Sequence, residues 1–296
     1  MSGSSGLIGR ALTRVLNSEG DEICRLVRID SDSPYDIPYD WHARTLDNNA
    51  FNGIDTVIHL AGENIGKGRW TKSRKRKIYD SRILSTKLIA ETLAKSKKPP
   101  SLLICASAVG YYGSRPDKWV DENSPAGTGF LADLVSDWEA AAQPAIDAGT
   151  RTVFLRLGIV LSKQGGAFPK MALPFRFGLG GRIGSGQQQM SWVMSEDVIA
   201  AIQTVMSNSS IVGALNVVSP NPITNSEFTK LLAEYIGIPA WINLPSSVLK
   251  LLFGREMAEE LFLSSSFVKP AKLTDAGFAF RCPDFKLALK KLLPRH

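Results

Sequence analysis

The chain has 296 residues, of which 44% are hydrophobic and 21% charged, and its formal net charge is +7. A chain of this length and apolar content can bury a large core, which excludes an intrinsically disordered protein. It has no apolar run of about 18 residues, as a membrane-spanning helix would need, and no basic and apolar start of the secretory type, so a cytoplasmic location is expected.

The predicted elements alternate between strand and helix up to about residue 220. Strands are predicted from short apolar runs and helices from longer segments with helical periodicity. In chain order they are a helix at Leu7–Leu16, strands at Glu22–Val27, Tyr39–Trp41 and Thr56–Ala61, a helix at Thr71–Lys95, a strand at Leu102–Ala106, a helix at Leu131–Ala142, a strand at Thr152–Leu157, a helix at Asp197–Met206 and a strand at Ala214–Val218. This order predicts an α/β fold, a Rossmann-like doubly wound parallel sheet.

A glycine pattern, G-x-x-G-x-x-G, immediately precedes and opens the first predicted helix. Glycines at this spacing permit a tight turn and a close backbone approach to a pyrophosphate. The N-terminus of the helix adds free N–H groups and a positive dipole. We therefore predict that a dinucleotide cofactor contacts Gly3, Gly6, Leu7, Ile8 and Gly9.

The strand that normally precedes such a pattern is missing from the sequence. Only Met1 and Ser2 come before Gly3. Either the gene start has been placed too late or this version of the fold has lost the strand, and the sequence leaves both explanations open. A lost central strand would deprive its neighbours of ladder hydrogen bonds.

Glycine and proline become frequent between residues 164 and 190, which is typical of loops and of a lid over a binding site. The chain then returns to the sheet before a mainly helical C-terminal part. We predict a dinucleotide-binding domain over residues 1–163 and 191–220. A smaller, substrate-facing C-terminal domain is predicted over residues 164–190 and 221–296.

The end of the second predicted strand indicates which dinucleotide is bound. NAD-binding proteins carry an acidic residue there for the adenosine ribose, but here Val27 is followed by Arg28. Without the acid a 2′-phosphate is not repelled, and a guanidinium can pair with it. This favours NADP(H), although the nearby Asp30 keeps NAD(H) open.

Most of the excess positive charge lies in a basic cluster between Lys67 and Lys77. A solvated helix face is the simplest interpretation, and an edge that faces a phosphate is the alternative. The cluster lacks interleaved aromatic residues, so nucleic acid is not an expected partner. Three cysteines and three histidines without metal-ligand spacing predict reduced thiols and no metal site.

Several motifs along almost the whole chain carry a family resemblance. They are Gly3–Gly9, Asp55–Ile65 with Arg69-Trp70, Ser81-Arg82, Ser107–Gly113, Trp138-Glu139, Leu155–Leu161, Pro174–Gly181, Ile183–Gly186 and Ala276–Phe278. With these motifs the chain resembles the extended short-chain dehydrogenases/reductases. It is most similar to their atypical branch of NAD(P)-dependent epimerase-family, or nucleoside-diphosphate-sugar epimerase-like, proteins.

The resemblance implies roles for residues at the strand ends. Leu60, Ala61 and Gly62 would line the path of adenine and ribose, and Arg82 would approach the cofactor. The nicotinamide would lie near Ala106, Ser107 and Ile159. Ligands at the carboxyl ends of parallel strands also agree with the general rule for open α/β sheets.

The usual catalytic groups of this superfamily are only partly present. Ser107 occupies the position of the serine that holds the substrate oxygen in the superfamily which the chain resembles; a strand-end hydroxyl that satisfies loop backbone is the alternative. The Tyr-x-x-x-Lys motif falls on Leu131 and Val135, neither of which can move a proton. Tyr111 and Tyr112 follow the serine on the same loop and are the remaining candidate proton donors. Packing on a cleft wall is the alternative for both rings.

Arg176 is the predicted ligand of an anionic substrate, because its planar fork suits a carboxylate or phosphate. A structural salt bridge is the alternative. Trp192 is predicted to line the substrate side of the cleft together with Phe175, Gln187 and Asp197.

Two functions are compatible with these residues. One is an NADP(H)-dependent oxidoreductase or epimerase-like enzyme for a small molecule, with an anionic compound or a sugar nucleotide as the candidate class. The other is a noncatalytic NADP(H)-binding redox sensor or regulator, favoured by the apolar Leu131 and Val135.

Overall fold

The computed structural model describes residues 1–28 and 33–293. The first half contains α1 (Leu7–Glu19), β1 (Arg25–Val27), β2 (Asp36–Asp40), β3 (Thr45–Leu46), β4 (Thr56–His59), α2 (Lys72–Lys95), β5 (Leu102–Ala108), a 3₁₀ turn (Val109–Tyr112), β6 (Arg115–Val120), α3 (Phe130–Ala140), α4 (Gln143–Asp147) and β7 (Arg151–Leu157). The predicted elements of this half are therefore all present, with ends shifted by a few residues.

The second half mixes short strands with helices. It contains β8 (Ile159–Leu161), α5 (Phe168–Arg176), β9 (Gln189–Met190), β10 (Trp192–Met194), α6 (Ser195–Ser207), β11 (Gly213–Val217), β12 (Ile223–Thr224), α7 (Asn225–Ile236), α8 (Ser246–Phe253), α9 (Arg255–Met257), a π-helical turn (Ala258–Phe262), β13 (Ser266–Val268), α10 (Ala271–Asp275) and α11 (Phe285–Leu292). The helical character predicted for the C-terminal part is confirmed.

The central sheet is parallel, with β4, β5, β7 and β11 side by side and β1 paired to β2. Met1 and Ser2 join these two groups. Ser2 forms parallel bridges to Leu26 of β1 and His59 of β4, the Ser2 N–H donates to the Ile58 carbonyl (2.9 Å) and the Leu26 N–H to the Met1 carbonyl (2.8 Å). Two residues thus occupy the position of the central strand and keep the ladder continuous.

Helices cover both faces of this sheet, as a doubly wound fold requires. On one face α1 and α6 bury Leu12, Leu16 and Ile202 against the strands, and on the other α2 and α4 bury Ile89 and Leu93. A further apolar cluster joins α5, α7 and α11 in the C-terminal region. The predicted Rossmann-like α/β class is confirmed.

The prediction of loops throughout residues 164–190 was wrong for α5. Pro169 lies in the first turn of this helix, where proline lacks only an N–H that would be free anyway. Pro174 lies near its C-terminal end, so that the interior hydrogen bonds before it are kept. The structure places Phe175 in the core at 5% exposure, which explains why a proline-rich segment is helical.

Within the described residues, no helix is both long and apolar enough to cross a membrane.

Candidate functional site

The glycine loop folds back tightly against the end of β4. Gly3 has a φ of +70°, and a Cβ placed on it would lie 2.7 Å from the Leu60 carbonyl carbon. A Cβ on Gly9 would lie 2.2 Å from the Gly3 oxygen. A side chain at the position of Gly3 or Gly9 would require backbone atoms to move.

The N-terminus of α1 opens at this loop. The N-cap residue is Gly6, which is exposed and supplies no side-chain cap to the first turn. The N–H groups of Leu7, Ile8 and Gly9 therefore lie in the turn whose donors and dipole attract anions. A dinucleotide pyrophosphate fits this arrangement, because glycines leave its approach unobstructed.

Leu60, Ala61 and Gly62 directly follow β4, beside this loop. Gly62 is exposed, and a Cβ on it would lie 3.3 Å from Cζ of Arg82. Arg82 donates to the carbonyls of Glu63 (3.0 Å) and Ile78 (3.1 Å), and burial lowers its pKa to about 10. Arg82 thus lies at the predicted cofactor cleft and fixes the backbone that follows β4.

Positive side chains surround Glu63 at the same edge. Arg74 Nη1 donates to the Glu63 carboxylate at 2.8 Å, and this bond, with the nearby charges of Arg74, Lys67 and Arg28, lowers the pKa of Glu63. Arg28 is exposed and its guanidinium lies 5.3 Å from the ring centre of Trp41. Asp30, which kept NAD(H) open, lies outside the described residues.

Two members of the basic cluster between Lys67 and Lys77 make structural contacts that the sequence did not predict. Arg69 donates to the carbonyls of Leu251 and Leu252 at the end of α8. Lys75 pairs with Glu256 of α9 at 2.9 Å. The segment at and just before the start of α2 therefore contacts the C-terminal region, and Arg74 within it pairs with Glu63.

A network of buried, hydrogen-bonded polar side chains connects α2 to Ser2, directly before the glycine loop. Ser85 Oγ donates to the Ser81 carbonyl (2.7 Å) and accepts from His59 Nε2 (3.1 Å), so His59 Nδ1 is the acceptor for Ser2 Oγ (2.6 Å). The Ala61 N–H in turn donates to Ser2 Oγ (3.3 Å). His59 is fully buried, and burial, followed by the positive charges of the N-terminus and Arg82, lowers its pKa from 6.5 to about 3.

The lowered pKa of His59 predicts that the folded protein loses stability in acid. Above pH 6.5 His59 is neutral in both states, but between pH 6.5 and about 3 only the unfolded chain protonates it, so stability is lost as the pH falls through this window. The free energy of unfolding should drop by about 1.4 kcal/mol per pH unit more in the wild type than in His59→Asn. Urea denaturation between about pH 7 and 4 measures this slope. The exposed His42→Asn is the control and should keep the wild-type slope; an unchanged slope in His59→Asn would contradict the assignment.

A buried ion pair lies at the C-terminal end of β5. Arg156 of β7 donates Nε and Nη2 to the two carboxylate oxygens of Glu139 in α3, each at 2.8 Å. Their side chains are 5% and 13% exposed, respectively. Ser107 Oγ donates to Glu139 Oε1 at 2.6 Å. The predicted catalytic serine is therefore part of an ionic cluster rather than an isolated hydroxyl.

The structure distinguishes the two tyrosines. Tyr112 is fully buried; its hydroxyl donates to Asn216 Oδ1 (2.7 Å) and accepts from Arg156 (3.0 Å), and burial raises its pKa to about 12. The proposal of Tyr112 as a proton donor is thus corrected to a structural role. Tyr111 is half-buried, with Cζ of Arg156 3.5 Å from its ring centre, and stays a candidate.

Leu131 and Val135, at the positions of the missing Tyr-x-x-x-Lys pair, pack against neighbours. Val135 is 2% exposed, and a Cβ on Gly110 would lie 3.3 Å from Leu131 Cβ. The start of α3 is capped from the C-terminal region, because Glu260 accepts from the N–H groups of Phe130 (2.9 Å) and Leu131 (2.7 Å).

The predicted substrate residues separate into exposed and buried ones. Arg176, at the end of α5, and Gln187 are exposed. Trp192 is 1% exposed and its indole N–H donates to the Asn221 carbonyl (3.0 Å), so its prediction as a substrate residue is corrected to a core role. Asp197 is likewise 1% exposed and accepts from the Arg281 and Cys282 N–H groups.

Ala106 and Ile159, which the family resemblance assigns to the nicotinamide, both lie at or beside ends of strands in the sheet region. Ala106 is buried in β5 next to Ser107, and Ile159 is half-buried and opens β8 beside β10. The sequence analysis did not identify Glu139 and Arg156 as the partners of Ser107. The signal was available, because an arginine inside the apolar run of β7 must be paired when buried.

Comparison with known proteins decides the family. The model of the NAD dependent epimerase/dehydratase family matches residues 1–217. The chain belongs to this family. A second model, a domain of unknown function (DUF1731), matches residues 244–292 of this epimerase-family chain.

Relatives cover the epimerase-family chain almost completely. Epimerase family protein Mb2239 of Mycobacterium bovis is 40% identical over 280 residues, which cover 95% of this chain and 92% of that protein. The crystal structure of human epimerase family protein SDR39U1 (isoform 2) with NADPH has a TM-score of 0.88 at 35% identity and covers 98% of this chain and 97% of that one.

A nucleoside-diphosphate sugar epimerase from Corynebacterium glutamicum has a TM-score of 0.80 at 35% identity, and covers 98% of this chain and 57% of that one. The predicted resemblance is confirmed by these matches. A nicotinamide dinucleotide, the cofactor class in the name of the family, agrees with the predicted cofactor.

Proposed function

We propose that the protein is an NADP(H)-binding oxidoreductase or epimerase-like enzyme that acts on a small molecule in the cytoplasm. The observation that carries this proposal is the open glycine loop at the uncapped start of α1, beside the ends of β4 and β5. The structure of human SDR39U1 with NADPH supports the choice of dinucleotide.

The residues present fit such a cofactor. Gly3, Gly6 and Leu7–Gly9 would hold the pyrophosphate, and Leu60–Gly62 with Arg82 the adenosine. Ala106, Ser107 and Ile159 would flank the nicotinamide. When bound, the nicotinamide supplies hydride transfer, and the protein supplies orientation and electrostatics.

The chain's own part in the chemistry is to hold a proton near the nicotinamide. Tyr111 Oη is the proposed hydroxyl, because Tyr111 is only half-buried whereas Tyr112 is fully buried, and the Tyr111 ring lies over the guanidinium of Arg156. The Tyr111 hydroxyl would donate a hydrogen bond to the substrate oxygen and supply the proton that this oxygen takes up when a carbonyl is reduced. Arg176 is proposed as the ligand of an anionic group, with sugar nucleotides as the first class to test.

A second candidate function is a noncatalytic NADP(H)-binding regulator. The observation in its favour is that Leu131 and Val135 are packed side chains, so that the superfamily's usual tyrosine and lysine are absent. Turnover separates the two functions. NADPH consumption with any of a panel of carbonyl compounds and sugar nucleotides supports the enzyme, whereas tight binding without turnover supports the regulator.

Arg28 is expected to select NADPH over NADH. Its exposed guanidinium follows β1 and can pair with the 2′-phosphate, which should give roughly a tenfold preference or more, about 1.4 kcal/mol. Titration calorimetry with both cofactors measures the ratio in the wild type and in Arg28→Ala. Arg14→Ala, which removes an exposed arginine from α1, is the control. Equal affinities in the wild type, or a preference that survives in Arg28→Ala, would refute the assignment.

A further inference from the structure

The orientation of the Ser107 hydroxyl is fixed by the ion pair behind it. A serine has one hydrogen to donate, and a carboxylate paired to a guanidinium accepts only. The 2.6 Å bond to Glu139 Oε1 therefore uses the only hydrogen of Ser107. Toward a ligand, Ser107 Oγ can therefore act only as a hydrogen-bond acceptor through its lone pairs.

The ion pair makes this orientation difficult to reverse. Glu139 also accepts two hydrogen bonds from Arg156, and the Ser107 and Arg156 side chains are almost fully buried. Turning the Ser107 hydrogen toward the cleft would remove a charge-assisted bond from a buried carboxylate, which is costly.

We infer that Ser107 is a hydrogen-bond acceptor toward the ligand and that Glu139 is its positioning residue, so that the site selects ligands with a hydroxyl at this point over carbonyl compounds. The inference rests on the proposed function, which places the ligand at the end of β5. It also divides the roles of the two hydroxyls there. Tyr111 donates to the ligand oxygen, the ligand hydroxyl donates to Ser107, and Ser107 donates to Glu139.

The superfamily resemblance led to a different expectation for Ser107, namely that it holds the substrate oxygen as a conventional serine would. A carbonyl oxygen cannot be held by lone pairs, because both groups are acceptors. A ligand hydroxyl fits both neighbours, because its oxygen can accept from Tyr111 and its hydrogen can be donated to Ser107. The preferred ligand state is therefore the alcohol, with the oxidised dinucleotide as its partner.

Two inert probes test this preference on the full-length protein loaded with NADP⁺. The tertiary alcohol 1-methylcyclohexanol has no carbinol hydrogen to lose, and cyclohexanone cannot be reduced by NADP⁺, so neither turns over. NMR titration should show the alcohol bound roughly tenfold more tightly, the effect of about one hydrogen bond. Equal affinities, a preference for the ketone, or binding of neither probe would overturn the inference.

Variants attribute the preference to the cluster. In the double variant Glu139→Met with Arg156→Met, an apolar pair replaces the ion pair and keeps the fold, so Ser107 is free to donate and the ratio of affinities should fall to about one. Ser107→Ala should also lose the preference. The control, Asp133→Met with Arg14→Met, also replaces one acid and one arginine by methionine, but at exposed positions, and should keep the wild-type ratio. A preference that persists in Ser107→Ala would overturn the inference.

Neutron diffraction of the protein without cofactor separates this inference from the proposed function. A deuteron between Ser107 Oγ and Glu139 Oε1 is expected, and one directed away from Glu139 would overturn the inference even if NADP⁺ binds. Failure of NADP⁺ to bind, measured in the same titrations, would instead count against the proposed function.

Discussion

Replacing Arg156 with methionine is expected to lower the free energy of unfolding by about 3–5 kcal/mol. The reason is that Glu139 would keep its charge in a largely buried position without the guanidinium that now binds both of its oxygens. Tyr112 Oη would also lose its donor. Equilibrium denaturation in urea measures the change.

Two further variants control this result. Arg14→Met removes an exposed arginine and should change stability by less than about 0.5 kcal/mol. The double variant Glu139→Met with Arg156→Met should regain most of the lost stability, because no unpaired charge is left. A loss below about 1 kcal/mol in Arg156→Met would show that the carboxylate finds solvent or another partner.

Replacing Tyr111 with phenylalanine is expected to reduce turnover about 10²- to 10⁴-fold once a substrate is identified, because a positioned proton donor is removed. NADPH affinity should change little, since the hydroxyl is proposed to face the substrate. Single-turnover absorbance measurements on NADPH give the rate, and calorimetry gives the affinity.

Tyr112→Phe is the matched control on the adjacent residue. It removes a hydroxyl that bonds Asn216 and Arg156 in the core, so it should cost about 1–3 kcal/mol of stability and leave turnover near that of the wild type. A rate loss in Tyr112→Phe without one in Tyr111→Phe would exchange the roles assigned to the two residues.

The sheet and its cofactor edge could be predicted because each depends on local sequence. Apolar runs such as Leu102–Ala106 and the glycine pattern at Gly3–Gly9 determine strand and turn within a few residues. The sequence could not show how the sheet centre is filled. Ser2 does so through backbone hydrogen bonds, which any residue type except proline could make.

The candidate site was less predictable because it depends on contacts between distant segments. Glu139 and Arg156 come from different elements, and nothing in either segment indicates the partner. Trp192 was misassigned because its burial depends on a distant segment, α11, where the centre of the Phe285 ring lies 5.3 Å from that of Trp192. Tyr111 and Tyr112 are adjacent in sequence, and only the packing of the 3₁₀ turn determines which ring is buried.

The cap on α3 links folding to the order of synthesis. Glu260 satisfies the first N–H groups of this helix, and Gly129, with a φ of +107°, leaves the space that the carboxylate occupies. On a ribosome the helix is complete at Ala140, but the residue that caps it, Glu260, is added roughly 120 residues later, after about 6–24 s at typical rates of synthesis. During that interval the nascent chain carries α3 without the carboxylate that caps its first turn.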